Sequence, residues 1–398
     1  MRLAYICADP GVPVFGQKGC SIHVQEMLRA FQKQGIQIDL FATRLGGNPP
    51  ADLETIPVHQ LPSLPKGNVS IREQKALAAN DDLRVALEQK APFDLVYERY
   101  SLWSYAGMEY AHFKKIPGIL EVNAPLIKEQ ATYRSLVDWY KAEQVAARVF
   151  NSSTLLCAVS KEVAVYLEPY LISQSSIYVV PNGVNPDRFP EALTPSCPSN
   201  PKTFTVGFVG SLKPWHGLPI LVEAFALLHQ EIQNTRLLIV GDGTEREDLV
   251  ANLSARGLAE ASHLTGAVPP DAVPGLLASM DVAVAPYPLQ SKFYFSPLKV
   301  YEYMAADVPV VASDIGQLGE LIQDGVNGIL FPPGDALALA EKLKDLYWQP
   351  QLRGSLGRAG RTMVMQKYTW DAIVQSLLTR CGLEFSSLSS AAFLEVKT

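Results

Sequence analysis

The sequence predicts an α/β protein built from two doubly wound parallel sheets. Apolar strand-like runs alternate with amphipathic helical stretches, which is the pattern of strand–helix–strand units in a parallel sheet. A proline-rich segment at 185–202 interrupts this pattern once, after which the pattern restarts. The chain of 398 residues also exceeds what one hydrophobic core usually holds, so two domains are expected.

The first half opens with a complete strand–helix–strand unit. Leu3–Cys7 is an apolar strand, and a glycine-bearing loop leads from it into a helical pattern over Ser21–Gln34. Gly35 ends that helix, as glycine commonly does just past a helix C-terminus, and Ile36–Ala42 is the next strand. Later strands are predicted at Asp94–Tyr97, Gly118–Val122, Thr154–Val159 and Ile177–Val180, and Pro125–Phe150 is predicted to be one long helical region.

The second half repeats the alternation after residues 185–202, whose five prolines and sparse apolar residues predict a linker. Its predicted elements are the strands Phe204–Val209, Leu237–Val240, Asp281–Ala285 and Val308–Ala312, the helix Leu218–His229, and a mostly helical stretch from Asp335 to about Leu383. The predicted domains are therefore 1–184 and 203–383, followed by a tail at 384–398. Because ligands of such sheets bind outside the carboxyl ends of the strands, the two domains are expected to face a cleft.

Composition narrows the function classes. A formal net charge of −6 provides no basic field for nucleic acid, and the 48% apolar and 19% charged residues are ordinary for a soluble globular protein. The five cysteines are scattered and form no CxxC pair, which favours a reduced, cytoplasmic setting. No run of about 18 apolar residues is present, so no transmembrane span is expected, and peripheral contact with the inner face of a membrane stays open.

The most informative stretch is QSKFYFSPLKVYEYMAADVPVVA at 290–312, where a loop runs into a helix and then a strand. Lys299 and Glu302 lie three residues apart, so a helix places them on one face near its start. Helix N-termini expose free N–H groups that suit a phosphate, and a carboxylate binds sugar hydroxyls. This pattern predicts a nucleotide-sugar site, and its alternative is an ordinary helix start with a surface lysine and a solvated glutamate.

Two loops between a strand and a helix are further candidates. In the first, Gly16 and Gly19 would let a ligand approach the backbone, and Lys18 and the helix residue His23 lie beside them. The pattern is not GxGxxG, so a dinucleotide site is not supported, and a plain turn is the alternative. In the second loop, Gly210–Gly217, three side chains could converge on a phosphate: Ser211, Lys213 and His216.

Three polar residues at strand ends complete the candidates from the residues themselves. Glu121 and Asn123 end one strand of the first domain, and Arg99 follows another. They would lie at the ligand edge of the sheet, or alternatively brace loops. No Asp-x-Asp, GxSxG, HExxH or Walker loop occurs, so a metal held by an acidic pair, a serine hydrolase, a zinc hydrolase and a P-loop enzyme are not indicated.

Seven motifs occur in order over roughly residues 1 to 383: KGCSIHVQEMLRAFQKQG, VVPNGVNPDRF, GFVGSLKPWHGL, LLIVGDGTERE, LTGAVP, SPLKVYEYMAADVPVVAS and GVNGILFPPGD. Together they resemble the retaining, nucleotide-sugar-dependent glycosyltransferases of family four. The resemblance implies the GT-B fold, in which two Rossmann-like domains face a cleft, and a first domain that binds the acceptor.

The resemblance also implies residue roles. Glu302 matches the second glutamate of the family's Glu-x7-Glu motif, which binds the donor ribose. The implied donor-side residues are Pro297, Leu298, Lys299 and Lys213 at the diphosphate, Gly210, Ser211 and His216 in the diphosphate clamp, Ala267 and Val268 at the base, Ser296 in the loop before the helix, and Gly19, His23 and Asn123 towards the donor phosphate or sugar. Gly16, Lys18, Arg99 and Glu121 are left as acceptor-side candidates.

The chain departs from the family at two places. Tyr294 stands where the first glutamate is expected, and the clamp's usual Arg and Lys are Ser211 and His216. The clamp charge is therefore expected to come partly from Lys213 or Lys299.

The implied reaction moves a hexose from a UDP- or GDP-sugar to an acceptor hydroxyl with retention. Lysines and helix dipoles would stabilise the leaving diphosphate, so neither a metal nor another cofactor is expected. The acceptor is open among saccharides, lipids and small molecules. A GT-B sugar epimerase and a non-catalytic GT-B subunit are the alternatives.

Overall fold

The computed structural model describes residues 1–65, 67–172, 177–290 and 293–383, and each strand in these ranges belongs to one of two parallel sheets. The chain divides into two compact units. The first unit comprises Met1–Pro181 and the C-terminal segment that begins at Trp370, and the second comprises Asn182–Thr369. The predicted α/β class with two parallel sheets is confirmed.

The first unit holds a seven-stranded sheet of order β3-β2-β1-β4-β5-β6-β7. Its elements are β1 (Arg2–Cys7), α1 (Gly19–Lys33), β2 (Gln37–Ala42), β3 (Val58–Gln60), α2 (Val69–Lys90), β4 (Leu95–Arg99), α3 (Ala106–Lys114), β5 (Gly118–Val122), α4 (Leu126–Tyr133), α5 (Trp139–Ser152), β6 (Leu155–Ala158), α6 (Lys161–Leu167) and β7 (Ile177–Val179). Strands β1 and β4 lie side by side, with Leu3 opposite Leu95.

The second unit holds a six-stranded sheet of order β10-β9-β8-β11-β12-β13. Its elements are β8 (Phe204–Val209), α7 (Leu218–Glu231), β9 (Thr235–Val240), α8 (Arg246–Ala255), β10 (Ser262–Gly266), α9 (Val273–Leu277), β11 (Val282–Ala285), α10 (Leu298–Ala305), β12 (Val310–Ser313), α11 (Gln317–Leu321), β13 (Ile329–Phe331), α12 (Ala336–Trp348) and α13 (Pro350–Lys367). Helices cover both faces of the sheet, and two apolar clusters form its core.

Helix α14 (Trp370–Arg380) belongs to the first unit, whereas the sequence grouped it with the second domain. The Trp370 ring packs edge-on against His23, with 4.7 Å between ring centroids. Asp371 also pairs with Lys33 at 3.2 Å. Helix α14 therefore packs on α1, and the predicted tail at 384–398 lies outside the described residues.

Two other sequence predictions differ from the structure. The long helical region predicted over Pro125–Phe150 is interrupted, because α4 ends at Tyr133 and a new helix, α5, begins at Trp139. The predicted linker packs on the second unit, where the Ser196 N–H donates to the Gly275 carbonyl at 2.9 Å. Among the described residues, no helix is both long and apolar enough to cross a membrane.

Candidate active site

The second sheet reverses its strand order between β8 and β11, which is where ligands of doubly wound sheets bind. The loops that follow these two strands are in contact. Gly217 has a φ of 69°, and a Cβ there would come within 1.6 Å of the Pro286 carbonyl oxygen. Only glycine fits this position, so the two loops form one continuous surface at the carboxyl edge of the sheet.

Helix α10 is fixed to this edge by Tyr303. The buried Tyr303 hydroxyl accepts the Val209 N–H at 2.8 Å and donates to the Val209 carbonyl at 3.2 Å. Val209 is the last residue of β8. The N-terminus of α10, at Leu298, follows directly from the loop at the same edge.

The loop before α10 is held by Asn182 at the start of the second unit. The Asn182 N–H donates to Ser296 Oγ at 2.9 Å, and Asn182 Nδ2 donates to the Ser296 carbonyl at 2.5 Å. Ser296 is buried. The side chain of this predicted donor residue therefore fixes the loop that precedes Pro297 and Leu298.

Lys299 presents an unpaired cation in the first turn of α10. Its side chain as a whole is partly exposed, but Nζ is inaccessible and has no hydrogen-bond partner among the described residues. Nζ lies 4.1 Å from the centroid of the Phe208 ring and 5.5 Å from that of Tyr287. Burial lowers the pKa of Lys299 to about 7. Gly210 permits this placement, since a Cβ there would lie 2.9 Å from Nζ.

His216 carries no positive charge at neutral pH. Burial, together with the charges of Lys299 and Lys213, lowers its pKa to about 3. His216 Nδ1 lies 2.5 Å from the Ser211 carbonyl oxygen, so Nδ1 carries the proton and Nε2 is an acceptor. The imidazole therefore supplies no cation to the predicted clamp, and the nearby positive charges are Lys299 and Lys213.

Glu302 lies one turn further along α10 and is 9% exposed. Arg188 Nη1 donates to Glu302 Oε1 at 2.8 Å. Burial raises the pKa of Glu302, and the charge of Arg188 opposes that effect. Lys299 and Glu302 thus share a helix as predicted. Lys299 Nζ lies against two aromatic rings, whereas Glu302 pairs with Arg188.

Three further predicted donor residues lie in loops of the second unit: Ala267, Val268 and Tyr294. Ala267 and Val268 directly follow β10 at the carboxyl edge of the sheet, with Ala267 exposed and Val268 partly buried. Tyr294 lies in the loop before α10 and packs on Phe295, with ring centroids 4.5 Å apart. Tyr294 therefore lies in the loop that leads into α10, and it does not supply the carboxylate of the family pattern.

In the first unit, three of the predicted residues form one buried cluster: His23, Arg99 and Glu121. Glu121 Oε1 lies 2.6 Å from His23 Nε2, and Arg99 Nη1 donates to Glu121 Oε2 at 3.3 Å. Burial alone would raise the pKa of Glu121, but His23 and Arg99 outweigh it and lower the pKa to about 2. The cluster joins α1, β4 and β5, and it uses the side chain of His23 for a contact within the protein.

The glycine-bearing loop of the first unit is more open. The Gly16 carbonyl accepts from Gln25 Nε2 at 3.0 Å, and Lys18 is an exposed residue at the N-cap of α1. A Cβ at Gly19 would meet no described atom within 4 Å, so the protein itself leaves space there. Asn123 follows β5, and its side chain contributes to the low pKa of Glu121, so it belongs to the same buried polar cluster.

A cavity of about 450 Å³ lies at the carboxyl edge of the first sheet. Polar and aromatic side chains contribute to its wall: Asp9, Arg72, Trp103, Glu129, Gln130 and Arg134. The four acceptor-side candidates, Gly16, Lys18, Arg99 and Glu121, are not among its lining residues. The sequence offered no signal for this cavity, because its wall is assembled from loops and helices that lie far apart along the chain.

Two family descriptions match the chain, one in each half. "Glycosyltransferase Family 4" matches residues 18–188, and "Glycosyl transferases group 1" matches residues 203–349. The chain belongs to the family four glycosyltransferases. The family resemblance seen in the motifs is thereby confirmed, and the protein is an enzyme of the glycosyltransferase class.

Similar proteins support the assignment over the whole length of this glycosyltransferase. D-inositol 3-phosphate glycosyltransferase of Jonesia denitrificans is 26% identical over 95% of both chains. Phosphatidyl-myo-inositol mannosyltransferase of Mycobacterium leprae is 32% identical over 50% of this chain and 51% of its own. The crystal structure of Anabaena Alr3699/HepE in complex with UDP and glucose has a TM-score of 0.72 at 19% identity, covering 96% of this chain and 99% of its own. That likeness shows the GT-B fold of this glycosyltransferase.

The site of this glycosyltransferase contains one residue that sequence reasoning passed over. Arg188 stands within the motif VVPNGVNPDRF and within residues 185–202, which the sequence predicts to be a linker. Its partner, Glu302, lies 114 positions away, and no local pattern links the two. The available signal was a charged arginine that directly precedes a buried phenylalanine, Phe189, in this motif.

Proposed function

We propose that this glycosyltransferase transfers a hexose from a nucleoside diphosphate sugar to an acceptor hydroxyl, with retention and without a metal ion. One observation carries the donor side of the proposal: Lys299 Nζ is buried, unpaired and placed in the first turn of α10. A cation and free helix N–H groups together favour a ligand with negative charge. Similar structures in complex with UDP or UDP-glucose support a nucleotide donor.

Catalysis in this proposal is electrostatic. As the glycosidic bond breaks, negative charge grows on the departing diphosphate, and Lys299, Lys213 and the backbone N–H of Leu298 stabilise it. The departing phosphate oxygen accepts the proton of the acceptor hydroxyl, so no separate base is needed. Glu302 binds the ribose through the oxygen that Arg188 leaves free.

The acceptor is proposed to enter the cavity of the first unit. Trp103 offers an aromatic face to a ring, while Arg72 and Arg134 offer positive charge to an anionic group. Two of the similar proteins are named for acting on inositol-containing compounds. A small polyol or its phosphate is therefore the first acceptor to try.

Donor turnover by the purified chain tests the reaction. Incubation with a panel of UDP- and GDP-hexoses, with and without inositol phosphate, should release nucleoside diphosphate and a sugar that keeps the donor's anomeric configuration. Proton NMR recorded before mutarotation distinguishes the anomers. An inverted anomer contradicts retention, an epimerised sugar favours the epimerase alternative, and nucleotide binding without turnover favours the non-catalytic subunit.

A further inference from the structure

Arg188 lies between two parts of the proposed nucleotide site. It sits in a short helical turn, Pro186–Arg188, just past the start of the second unit. Its Nη1 donates to Glu302 Oε1 at 2.8 Å, and its Nη2 donates to the Pro270 carbonyl at 2.7 Å. The exposed fractions of the Arg188 and Glu302 side chains are 17% and 11%, so the pair is largely removed from solvent.

The first contact fixes the carboxylate of Glu302. Oε1 is occupied by the guanidinium, which leaves Oε2 as the acceptor for a ligand hydroxyl. A buried carboxylate without a cation tends to take up a proton, and a protonated carboxyl group accepts poorly. Arg188 therefore keeps Glu302 in the charged form and in one orientation.

The second contact fixes the loop after β10. Pro270 lies two residues beyond Val268, and the family resemblance assigns Ala267 and Val268 to the base. One planar guanidinium thus joins the backbone near the base to the carboxylate near the ribose. A lysine ammonium, being a single point, is not suited to this two-pronged contact.

The backbone around Arg188 is itself held in place. Phe189 is 1% exposed, and its carbonyl oxygen accepts from Arg361 Nη2 at 2.7 Å. Arg361 Nη1 also donates to the carbonyl of Ala305, the last residue of α10. The arginine that holds Glu302 is therefore anchored to the same helix that carries Glu302.

We propose that Arg188 is a positioning residue for the nucleoside part of the donor, aligning Glu302 and the 267–270 segment before the ligand arrives. The inference rests on the proposed function. It predicts that replacing Arg188 weakens binding of the nucleoside and leaves binding of the diphosphate at Lys299 unchanged.

Calorimetric binding of UDP and of inorganic pyrophosphate to the full chain tests this separation. Arg188→Gln should weaken UDP binding about ten- to a hundredfold, the loss expected for a charge-assisted contact, with pyrophosphate affinity unchanged. UDP affinity of the variant should also fall with decreasing pH more steeply than that of the wild type, because Glu302 then takes up a proton more easily. Arg188→Lys should bind UDP with intermediate affinity. This variant takes the place of Arg188→Gln in the test if Arg188→Gln does not fold.

Arg236→Gln is the matched control. Arg236 is another arginine of the second unit. It donates to two backbone carbonyls, those of Cys197 at 2.9 Å and Ser279 at 3.2 Å. Its loss should lower stability and leave the ratio of UDP to pyrophosphate affinity unchanged. The same unchanged ratio in the Arg188 variants would overturn the inference. Failure of the wild type to bind UDP and pyrophosphate at all would remove the proposed function and this inference with it.

Discussion

At the residue scale, the feature with the largest physical consequence is the amine of Lys299. It is buried against two aromatic rings and has no partner among the described residues, although an ion pair would normally accompany a buried charge. Such a group destabilises the fold, and its presence is accounted for if a ligand supplies the missing negative charge.

Lys299→Met should therefore stabilise the free protein while abolishing donor turnover. Methionine fills similar space without a charge to bury, and we expect the free energy of unfolding at pH 7 to rise by about 1–3 kcal/mol. Denaturant unfolding measures the stability, and release of nucleoside diphosphate from the donor measures the turnover. Lys202→Met, at an exposed position of the same unit, should change neither quantity. A less stable Lys299→Met variant that still binds UDP would contradict this role.

Glu302→Gln should weaken binding of the nucleotide by about 1–3 kcal/mol, because the charged contact to a ribose hydroxyl is lost. The wild type should bind a 2′-deoxyribose nucleotide poorly, and the variant should discriminate far less between the two sugars. Dissociation constants for both ligands on both proteins give the answer, with the exposed Glu341→Gln as control. Unchanged UDP affinity in Glu302→Gln would place the ribose elsewhere.

At the element scale, the sequence predicted those strands best that are continuous apolar runs closed by glycine or polar residues. Gly118–Val122 and Phe204–Val209 are observed with the predicted bounds. The 22-residue helix α2 was missed, because only four of its residues are buried and two of these, Glu73 and Asn80, are polar. A helix that is mostly solvated has no apolar stripe to reveal it.

The residues of the candidate site, like the strands and helices, were predicted only where their pattern is local in the sequence. Lys299 and Glu302 were predicted together because helical spacing is local and readable. The contacts of Glu302 with Arg188 and of Glu121 with His23 span 114 and 98 positions, and the fold alone brings these residues together. Sequence reasoning therefore led to the helix that carries the proposed donor site, while the partners that tune its charges required the structure.

The cluster of Glu121, His23 and Arg99 joins three elements of the first unit, and its effect on stability should depend on pH. The folded-state pKa of Glu121, about 2, lies below its ordinary value of 4.5. Its contribution, about 3 kcal/mol, is present above pH 4.5 and is lost as the pH falls towards 2. Glu121→Gln should remove this part of the acid sensitivity and lower stability at neutral pH. Unfolding curves from pH 7 to 3 measure it, and identical pH profiles for the two proteins would exclude the effect.

At the scale of the whole molecule, a family four segment followed by a group 1 segment, together with two parallel sheets, defines a GT-B glycosyltransferase. The chain lacks an Asp-x-Asp motif, and its proposed diphosphate site is built from lysines and a helix N-terminus. We therefore expect the lysines and the helix N-terminus, rather than a metal ion, to stabilise the negative charge of the leaving diphosphate.

Donor turnover should accordingly survive EDTA with little loss. Initial rates of nucleoside diphosphate release, measured with and without the chelator, test this expectation. Abolition by EDTA followed by recovery with Mn²⁺ or Mg²⁺ would refute the metal-independent mechanism.

The buried amine of Lys299 should also couple binding of the donor nucleotide to uptake of a proton from the solvent. With a pKa of about 7, it is charged in only about half of the free molecules at neutral pH. A diphosphate favours the charged form, so each nucleotide that binds should draw about half a proton from the buffer at pH 7, and nearly a whole one at pH 8.5. The heat of UDP binding should therefore change with the ionisation enthalpy of the buffer, and this dependence should vanish in Lys299→Met.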